Sequence, residues 1–340
     1  MTLDAEPLFV TLVTGAVPQH RALLMHSLSR ERWNVGEPHA VSDSRDAGHD
    51  AAEALVDAID AVARAGTRGA VAVSVDAALD PQQLGLTLVA LFSQRHPSLP
   101  PVHLRDVITV VDANEFLPLI DPDRSADPRE LEALATRLEY ATMIIVVDAD
   151  ARLAVEIAHA LNPRAAVAAV DDVRAVTVER LRSVVRPPVD DLGRAQGWML
   201  ALNGTRLQTT DGVSTVVFRD PRPFHPGRLA HVVTECLRPE VVGTIWRSRG
   251  LVRLASRPTR VGSWSTVGAT FSLDPTAMMS DDPETPSGQE IAFVGSTLDT
   301  RRLTNCLGAA LLDDGELVAG PMEWATYADP FPVWQVEHGH

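Results

Sequence analysis

Between Leu8 and about Val185, short apolar runs alternate with helix-like stretches, and this alternation limits the possible folds more than any other feature of the chain. Four of the runs are nearly continuous in apolar residues, as strands buried on both faces of a sheet are. They cover residues 8–14, 70–75, 107–111 and 143–147. Strands that alternate with helices usually form a parallel sheet, because each crossover needs a long connection. The pattern therefore predicts an α/β domain with a mostly parallel sheet.

The stretches between these runs carry signals for the ends of helices. Asp50 opens a capping-box pattern before an apolar helical face, and Gly66 stands where a C-terminal glycine is expected. Asp127 and Pro128 predict the start of another helix, because proline is favoured at the first helical position. These signals predict helices on both sides of the apolar runs.

Residues after about 210 follow a different order. A strand is predicted at 213–218, a helix at 228–237, several strands in succession, and a final helix near 299–312. Successive strands without intervening helices favour an antiparallel α+β domain. The predicted organisation is an α/β domain over residues 1–185, a linker over 186–210 and a smaller α+β domain over 211–340.

The charge of the chain limits its partners. Acidic residues number 45 and basic residues 30, all of them arginine, for a net charge of -15. A general binder of nucleic-acid backbones needs positive charge, so direct DNA binding is not expected and a protein partner is favoured. No apolar run approaches the roughly 20 residues of a membrane helix, and the first seven residues contain no cation. We expect a cytoplasmic protein without a membrane segment.

Three segments of the second domain carry a family resemblance. They are Pro223-Phe224-His225-Pro226, Arg247-Ser248-Arg249-Gly250-Leu251 and Asp329-Pro330-Phe331 followed by Trp334. In this order they resemble the C-terminal domain of CobW-type proteins. The first domain is similar to the GTPase domain of that family through Thr14-Gly15, residues 107–113 and residues 138–141. The resemblance implies a P-loop-NTPase-like sheet followed by a CobW C-terminal-type domain, with GTP and zinc as the ligands of the family.

The segment that resembles the phosphate-binding loop of the family has changed at several positions. The family pattern G-x-x-x-x-G-K-T aligns with residues 15–22, so that Gly15 is retained and His20, Arg21 and Ala22 replace the last three motif residues. Ala22 has no hydroxyl for magnesium, and His20 lacks the backbone freedom of glycine. Gly15 and Arg21 remain candidates for phosphate contact. The alternative is a simple strand-to-helix turn.

The base-reading and metal-binding positions of the family have also changed. The N-K-x-D motif aligns with residues 147–150, where Asp150 alone matches and is the candidate for guanine. Alternatively, Asp150 opens the next helix. The C-x-C-C zinc motif has no counterpart, because the first cysteine is Cys236. His39 and His49 are the candidate metal ligands in the corresponding loop, which otherwise reads as a solvated acidic loop.

Three functions are compatible with this pattern. The first is a pseudo-GTPase that serves as an interaction scaffold in zinc homeostasis or the response to zinc starvation, with no catalytic residue assigned. The composition is similar to actinobacterial CobW paralogues, and this likeness implies recruitment of a ribosome-associated factor. The second is a GTP-dependent zinc metallochaperone with unusual ligands. The third is a binder of another small ligand in the former nucleotide cleft.

Overall fold

The computed structural model describes most of the chain and divides it into two compact units. The described residues are 6–29, 34–36, 47–67, 69–96, 99–119, 127–148, 151–194, 196–205, 212–283, 285–286 and 288–334. The first unit comprises residues 1–118 and 132–196, and the second comprises residues 119–131 and 197–340.

A parallel sheet forms the first unit, as predicted. Its strands are β1 (Leu8–Thr14), β2 (Asn34–Gly36), β3 (Gly69–Ser74), β4 (Val102–Asp112), β5 (Met143–Val147) and β6 (Ala166–Val170). They lie in the order β2-β3-β1-β4-β5-β6, and each neighbouring pair is parallel. All four predicted strands are present, and β4 is longer than predicted. The sequence analysis missed the short edge strands β2 and β6.

Helices connect these strands. They are α1 (Pro18–Ser29), α2 (Ala47–Arg64), α3 (Pro81–Ser93), α4 (Ala113–Leu119), α5 (Pro128–Glu139), α6 (Arg152–Leu161) and α7 (Val178–Ser183). Gly66 ends α2 with a φ of 89°, and the amide of Arg129 donates to the Asp127 carboxylate at the start of α5, as predicted. The predicted cap at Asp50 is wrong. The helix already begins at Ala47, so Asp50 lies in its first turn.

The two faces of β1 pack into different cores. Leu8, Val10 and Leu12 face the cluster that contains the buried side chains of α2 and α3. Val13 faces the cluster that contains Leu24 of α1. Because side chains alternate along a strand, one buried strand serves both cores. Helices therefore cover both faces of the sheet, and β1 lies between β3 and β4 at its centre.

The second unit is built on an antiparallel sheet, as predicted. Its strands are β7 (Ser214–Asp220), β8 (Thr244–Val252), β9 (Arg260–Val267), β10 (Thr270–Met279) and β11 (Gln289–Ser296), in the order β10-β9-β8-β11-β7. Trp264 is fully buried in the core of this unit, and its indole N–H donates to the Ser248 hydroxyl over 2.7 Å. That hydrogen bond satisfies the one polar group of a large apolar side chain.

Short helices complete the second unit. They are α8 (Gly197–Leu202), α9 (Pro226–His231), α10 (Pro239–Val242), α11 (Thr300–Ala309), α12 (Asp314–Ala319) and α13 (Pro321–Trp324). The helix predicted at 228–237 differs from the structure, because α9 begins two residues earlier and continues as a π-helical turn at Val232–Cys236. Among the described residues, no helix has the length and apolar character needed to cross a membrane.

A bidentate ion pair joins α9 to α12. The guanidinium of Arg228 donates to both carboxylate oxygens of Glu316 over 2.9 and 2.6 Å. The Glu316 carboxylate also accepts the backbone N–H of Asp313, completing a capping box. The Arg228 hydrogen bond, assisted by the Asp313 N–H, lowers the pKa of Glu316 to about 2. A bidentate pair of this kind is stronger than a single surface contact.

We expect Glu316→Gln to lower the free energy of unfolding at pH 7 by about 1–2 kcal/mol, because charge-assisted hydrogen bonds are lost. The folded pKa lies below the unfolded value of 4.5, so the stabilisation is complete above pH 4.5 and disappears as the pH falls towards 2. Urea denaturation across this range should show the difference between wild type and variant shrinking. Glu323→Gln on the exposed surface of α13 is the control. A difference that does not change with pH contradicts the assignment.

Candidate functional site

The β1–α1 loop is the predicted phosphate-binding turn, and it is short. It contains only residues 15–17, because β1 ends at Thr14 and α1 begins at Pro18. In the G-x-x-x-x-G-K-[ST] motif, the residues between the two glycines form a loop whose amides surround a phosphate. Two of the four equivalent positions, Pro18 and Gln19, are already helical here. The remaining turn is too short to surround a phosphate.

Gly15 is required by the path of this loop. Its φ is 154°, and a Cβ at this position would overlap the backbone carbonyl oxygen of Val110 in β4. A side chain would therefore push β1 and β4 apart. The structure supports a packing role for Gly15 in the first unit.

The buried side chain of Arg21 is hydrogen-bonded to this loop. Its side chain is buried, with 7% of the residue exposed, and Nη1 donates to the carbonyl oxygen of Gly15 and, over 3.5 Å, to that of Ala16. A phosphate-binding loop presents N–H groups to its ligand. This loop instead presents carbonyl oxygens to a guanidinium that belongs to the same chain. The predicted phosphate contact is therefore engaged with the loop itself.

A second buried arginine, which the sequence analysis did not identify, lies near Arg21. Arg137 in α5 is 5% exposed, and its guanidinium donates to the carbonyl oxygen of Ala77. Burial and the positive charge of Arg21 lower the pKa of Arg137, and the carboxylates of Asp80 and Asp76 act in the opposite direction. The available signal in the sequence was a charged residue between Leu134 and Leu138 on the apolar face of the helix.

The two carboxylates near this arginine pair also hold the backbone after β3. Asp80 caps α3 by accepting the backbone N–H groups of Gln82 and Gln83 over 2.7 and 3.2 Å. Asp76 accepts the N–H of Ala78 over 2.8 Å. Both roles are local turn and cap interactions. The carboxylates that partly oppose the positive charges of the site are thus fixed in the fold.

A row of polar residues in contact with one another lies at the carboxyl ends of β4 and β5. The Asn114 side chain donates to Asp148 over 3.1 Å, and the Asn114 backbone N–H donates to Asp112 over 2.9 Å. The His20 imidazole lies 3.9 Å from the Asp112 carboxylate. Asp148 has a φ of 120°, an uncommon conformation for a residue with a side chain. Asp150, the predicted guanine contact, lies outside the described residues.

The predicted metal ligands are placed in part. His49 lies in the first turn of α2, and its Nε2 is 3.3 Å from a carboxylate oxygen of Glu53, with about half of each side chain exposed. His39 lies outside the described residues. Within the described part of the chain, no group of three or more histidine, cysteine or acidic side chains is arranged to hold a metal ion. His49 and Glu53 alone do not make a zinc site, which needs at least three protein ligands.

The family-like segments of the second domain serve as structural anchors. His225 caps α9, because its Nδ1 accepts the backbone N–H of Gly227 over 3.2 Å. Arg257 donates to the Asp329 carboxylate over 2.8 Å and lies over the Trp334 ring, 4.3 Å from its centroid. The Trp334 indole N–H donates to the carbonyl oxygen of Leu273 over 3.0 Å. These contacts tie the last described residues to the sheet.

One family model and several known proteins are similar to this chain. Residues 213–311 match the model of the cobalamin synthesis protein cobW C-terminal domain. Zinc-regulated GTPase metalloprotein activator 1 of Dictyostelium discoideum is 23% identical over 274 residues, which cover 68% of this chain and 56% of that protein. A zinc chaperone of Mycobacterium tuberculosis is 27% identical over 273 residues, which cover 72% of this chain and 65% of the chaperone.

Both alignments span less than two thirds of the relative's own length. Among solved structures, the Zn(II)-bound YjiA GTPase from E. coli aligns with a TM-score of 0.36 and 18% identity, over 90% of this chain and 100% of that one.

We expect Arg21→Met to lower the free energy of unfolding by about 2 kcal/mol, because buried loop carbonyls lose a charged donor. Relief of the repulsion with Arg137 offsets only part of this loss, since Asp76 and Asp80 already oppose it. Urea denaturation is the measurement. Arg180→Met, at an exposed position of α7, is the control and should change stability by less than about 0.5 kcal/mol. Equal effects of the two substitutions would show that Arg21 does not hold the loop.

Proposed function

We propose that this chain is a member of the CobW-type family and acts there as a pseudo-GTPase scaffold in zinc homeostasis. In this proposal, the protein retains the two-domain architecture of the family and does not hydrolyse nucleotide. It rests on the β1–α1 loop, where the Arg21 guanidinium is hydrogen-bonded to the carbonyl oxygens of Gly15 and Ala16.

The geometry of the loop argues against a bound triphosphate. A phosphate at this position would face the carbonyl oxygens of the loop, which repel anions, or would have to displace Arg21 from them. Displacement would break the charge-assisted hydrogen bonds of a buried side chain. Rearrangement of the loop would also need new backbone angles at Pro18, where the ring fixes φ. Both routes have a free-energy cost that an open, amide-lined loop does not have.

The groups that act on magnesium and water in the family pattern do not fit either. Ala22 occupies the position of the hydroxyl that holds magnesium, and an alanine side chain cannot bind a metal ion. At the end of β3, Asp76 is hydrogen-bonded to the backbone of its own turn. The residues present therefore do not fit GTP with magnesium, and no hydrolytic step is assigned to them.

The link to zinc is inferred from the relatives. One is named a zinc chaperone and another a zinc-regulated GTPase metalloprotein activator. The two-residue contact of His49 with Glu53 is a poor basis for carrying zinc as cargo, so we place the protein in zinc homeostasis as a binding partner of other proteins. The net charge of -15 favours a protein partner over bare nucleic acid, and a ribosome-associated factor is the specific form of the proposal.

Titration of the full chain with a fluorescent GTP analogue and Mg²⁺ is expected to show no saturable binding at micromolar concentrations. The variant His20→Gly/Arg21→Lys/Ala22→Thr restores the last three residues of the motif. It should also fail to bind, because its loop remains three residues long. The YjiA GTPase from E. coli is the positive control.

Each outcome of this titration has a distinct meaning. Saturable, Mg²⁺-dependent binding by the wild-type chain contradicts the pseudo-GTPase proposal and favours a GTP-dependent metallochaperone. Binding by the triple variant alone would show that side chains, and not the loop, exclude the nucleotide.

A scaffold in zinc homeostasis should have a partner whose binding depends on zinc supply. Affinity capture of the tagged full chain from zinc-starved and zinc-replete cells is expected to recover a protein partner enriched in one condition. Equal recovery in both conditions contradicts the link to zinc, and failure to recover any protein contradicts the scaffold.

A further inference from the structure

The two cysteines of the chain are far apart in the sequence and meet in the structure. Cys236 ends the π-helical turn at Val232–Cys236, and Cys306 lies on α11. These two elements pack against each other, and the Cys236 thiol is close enough to raise the pKa of the Cys306 thiol. Both side chains are partly buried at the edge of the core that contains Leu303 and Leu307. Their distance in the sequence gives no sign of this contact.

The π-helical turn determines where Cys236 lies on its helix. The backbone N–H of Leu237 donates to the carbonyl oxygen of Val232 over 3.0 Å, which is an i to i+5 hydrogen bond. The extra residue in this turn rotates the residues that follow by about 100° around the helix axis. Cys236 reaches α11 from this wider turn. Single π-helical turns of this kind occur often at functional sites.

The surroundings of the pair favour oxidation chemistry over metal binding. Zinc needs four ligands, and the described part of the chain contains no third histidine, cysteine or carboxylate that joins these thiols in a metal-binding group. Burial and the neighbouring Cys236 raise the pKa of the Cys306 thiol, and Arg302 acts in the opposite direction. A cluster of two thiols without a third ligand can instead form a disulfide.

We propose that Cys236 and Cys306 form an oxidisable dithiol, which hydrogen peroxide converts into an intramolecular disulfide. One thiolate attacks a peroxide oxygen, the O–O bond breaks, and a sulfenic acid and one water are formed. The second thiolate attacks the sulfenic sulfur, the S–O bond breaks, and a second water leaves. Two thiols are oxidised and one peroxide is reduced to two waters. A small-molecule thiol reverses the reaction by exchange.

The disulfide would join two elements that flank the antiparallel sheet. It links the turn after α9 to α11, and the chain between them includes β8, β9, β10 and β11. In the reduced state, packing alone holds these elements together. Oxidation therefore adds a covalent restraint to the second domain without needing any residue of the first.

The wild-type chain provides the direct test, because it contains no other cysteine. After treatment with hydrogen peroxide, thiol titration in denaturant should fall from two thiols to none, and a proteolytic digest should contain the Cys236 and Cys306 peptides joined by a disulfide, two hydrogens lighter than their sum. Dithiothreitol should restore both thiols. On a non-reducing gel the protein should remain a monomer, and circular dichroism should show that it is still folded.

The single variants Cys236→Ser and Cys306→Ser are the matched controls. Each keeps one thiol, so peroxide should leave a sulfenic acid that dimedone labels, with no loss of two hydrogens. The proposal is overturned if the wild-type protein keeps both thiols, if oxygen atoms are added to each cysteine sulfur, or if the protein forms mainly disulfide-linked dimers. It is also overturned if wild type and the single variants give the same products.

Discussion

The hydrogen bonds from Arg21 to the β1–α1 loop hold together the turn after the central strand of the first domain. They connect the central strand of the sheet to the helix that follows it, at the edge where open α/β sheets bind ligands. A guanidinium at this point carries the charge that a lysine would offer to a phosphate. Its Nη1 donates within the chain, to the carbonyl oxygens of Gly15 and Ala16, and the loop presents these oxygens where a phosphate-binding loop presents N–H groups. The turn lies where the family pattern has its phosphate-binding loop, and its polar groups are hydrogen-bonded to Arg21 of the same chain.

Two nearby carboxylates reduce the cost of burying two arginines close together. A buried guanidinium without a partner is very unfavourable, and two close together add their repulsion. Asp76 and Asp80 oppose this, as their effect on the pKa of Arg137 shows, while they also cap the turn and helix after β3. Carboxylates that are fixed by backbone N–H groups need no reorganisation to neutralise nearby charge. The site is therefore self-contained, with its anions supplied by the protein.

The sequence predicted the features that follow from local patterns. β1 and β5 have the predicted limits, because each is a continuous apolar run, and Gly66 ends α2 because the turn needs a positive φ. β6 was missed because its sequence, Ala-Val-Ala-Ala-Val, is equally compatible with a helix, and it becomes a strand through pairing with β5. The capping pattern at Asp50 was misleading because it lies within a helix that starts earlier.

Long-range contacts could not be predicted in the same way. The contact between Cys236 and Cys306 depends on the packing of two helices and on a π-helical turn, which no residue pattern announces. Arg137 was visible only as a charge on an apolar helix face, and its closeness to Arg21 appears only once α5 is placed. Gly15 and Arg21 were named as candidates for phosphate contact, and no residue pattern indicated that Arg21 would donate to the Gly15 carbonyl oxygen.

The two domains differ in how their family-like residues are used. In the second domain, the family-like segments still make the contacts that hold the fold, including the His225 cap and the stacking of Arg257 on Trp334. In the first domain, the changed positions are those whose side chains would touch phosphate, magnesium or guanine, and the buried strands and helix faces are intact. The stability of a sheet depends on its apolar faces and not on the ligands at its edge. A chain can therefore lose nucleotide chemistry and keep both domains as surfaces for other proteins, which is the physical basis of a scaffold.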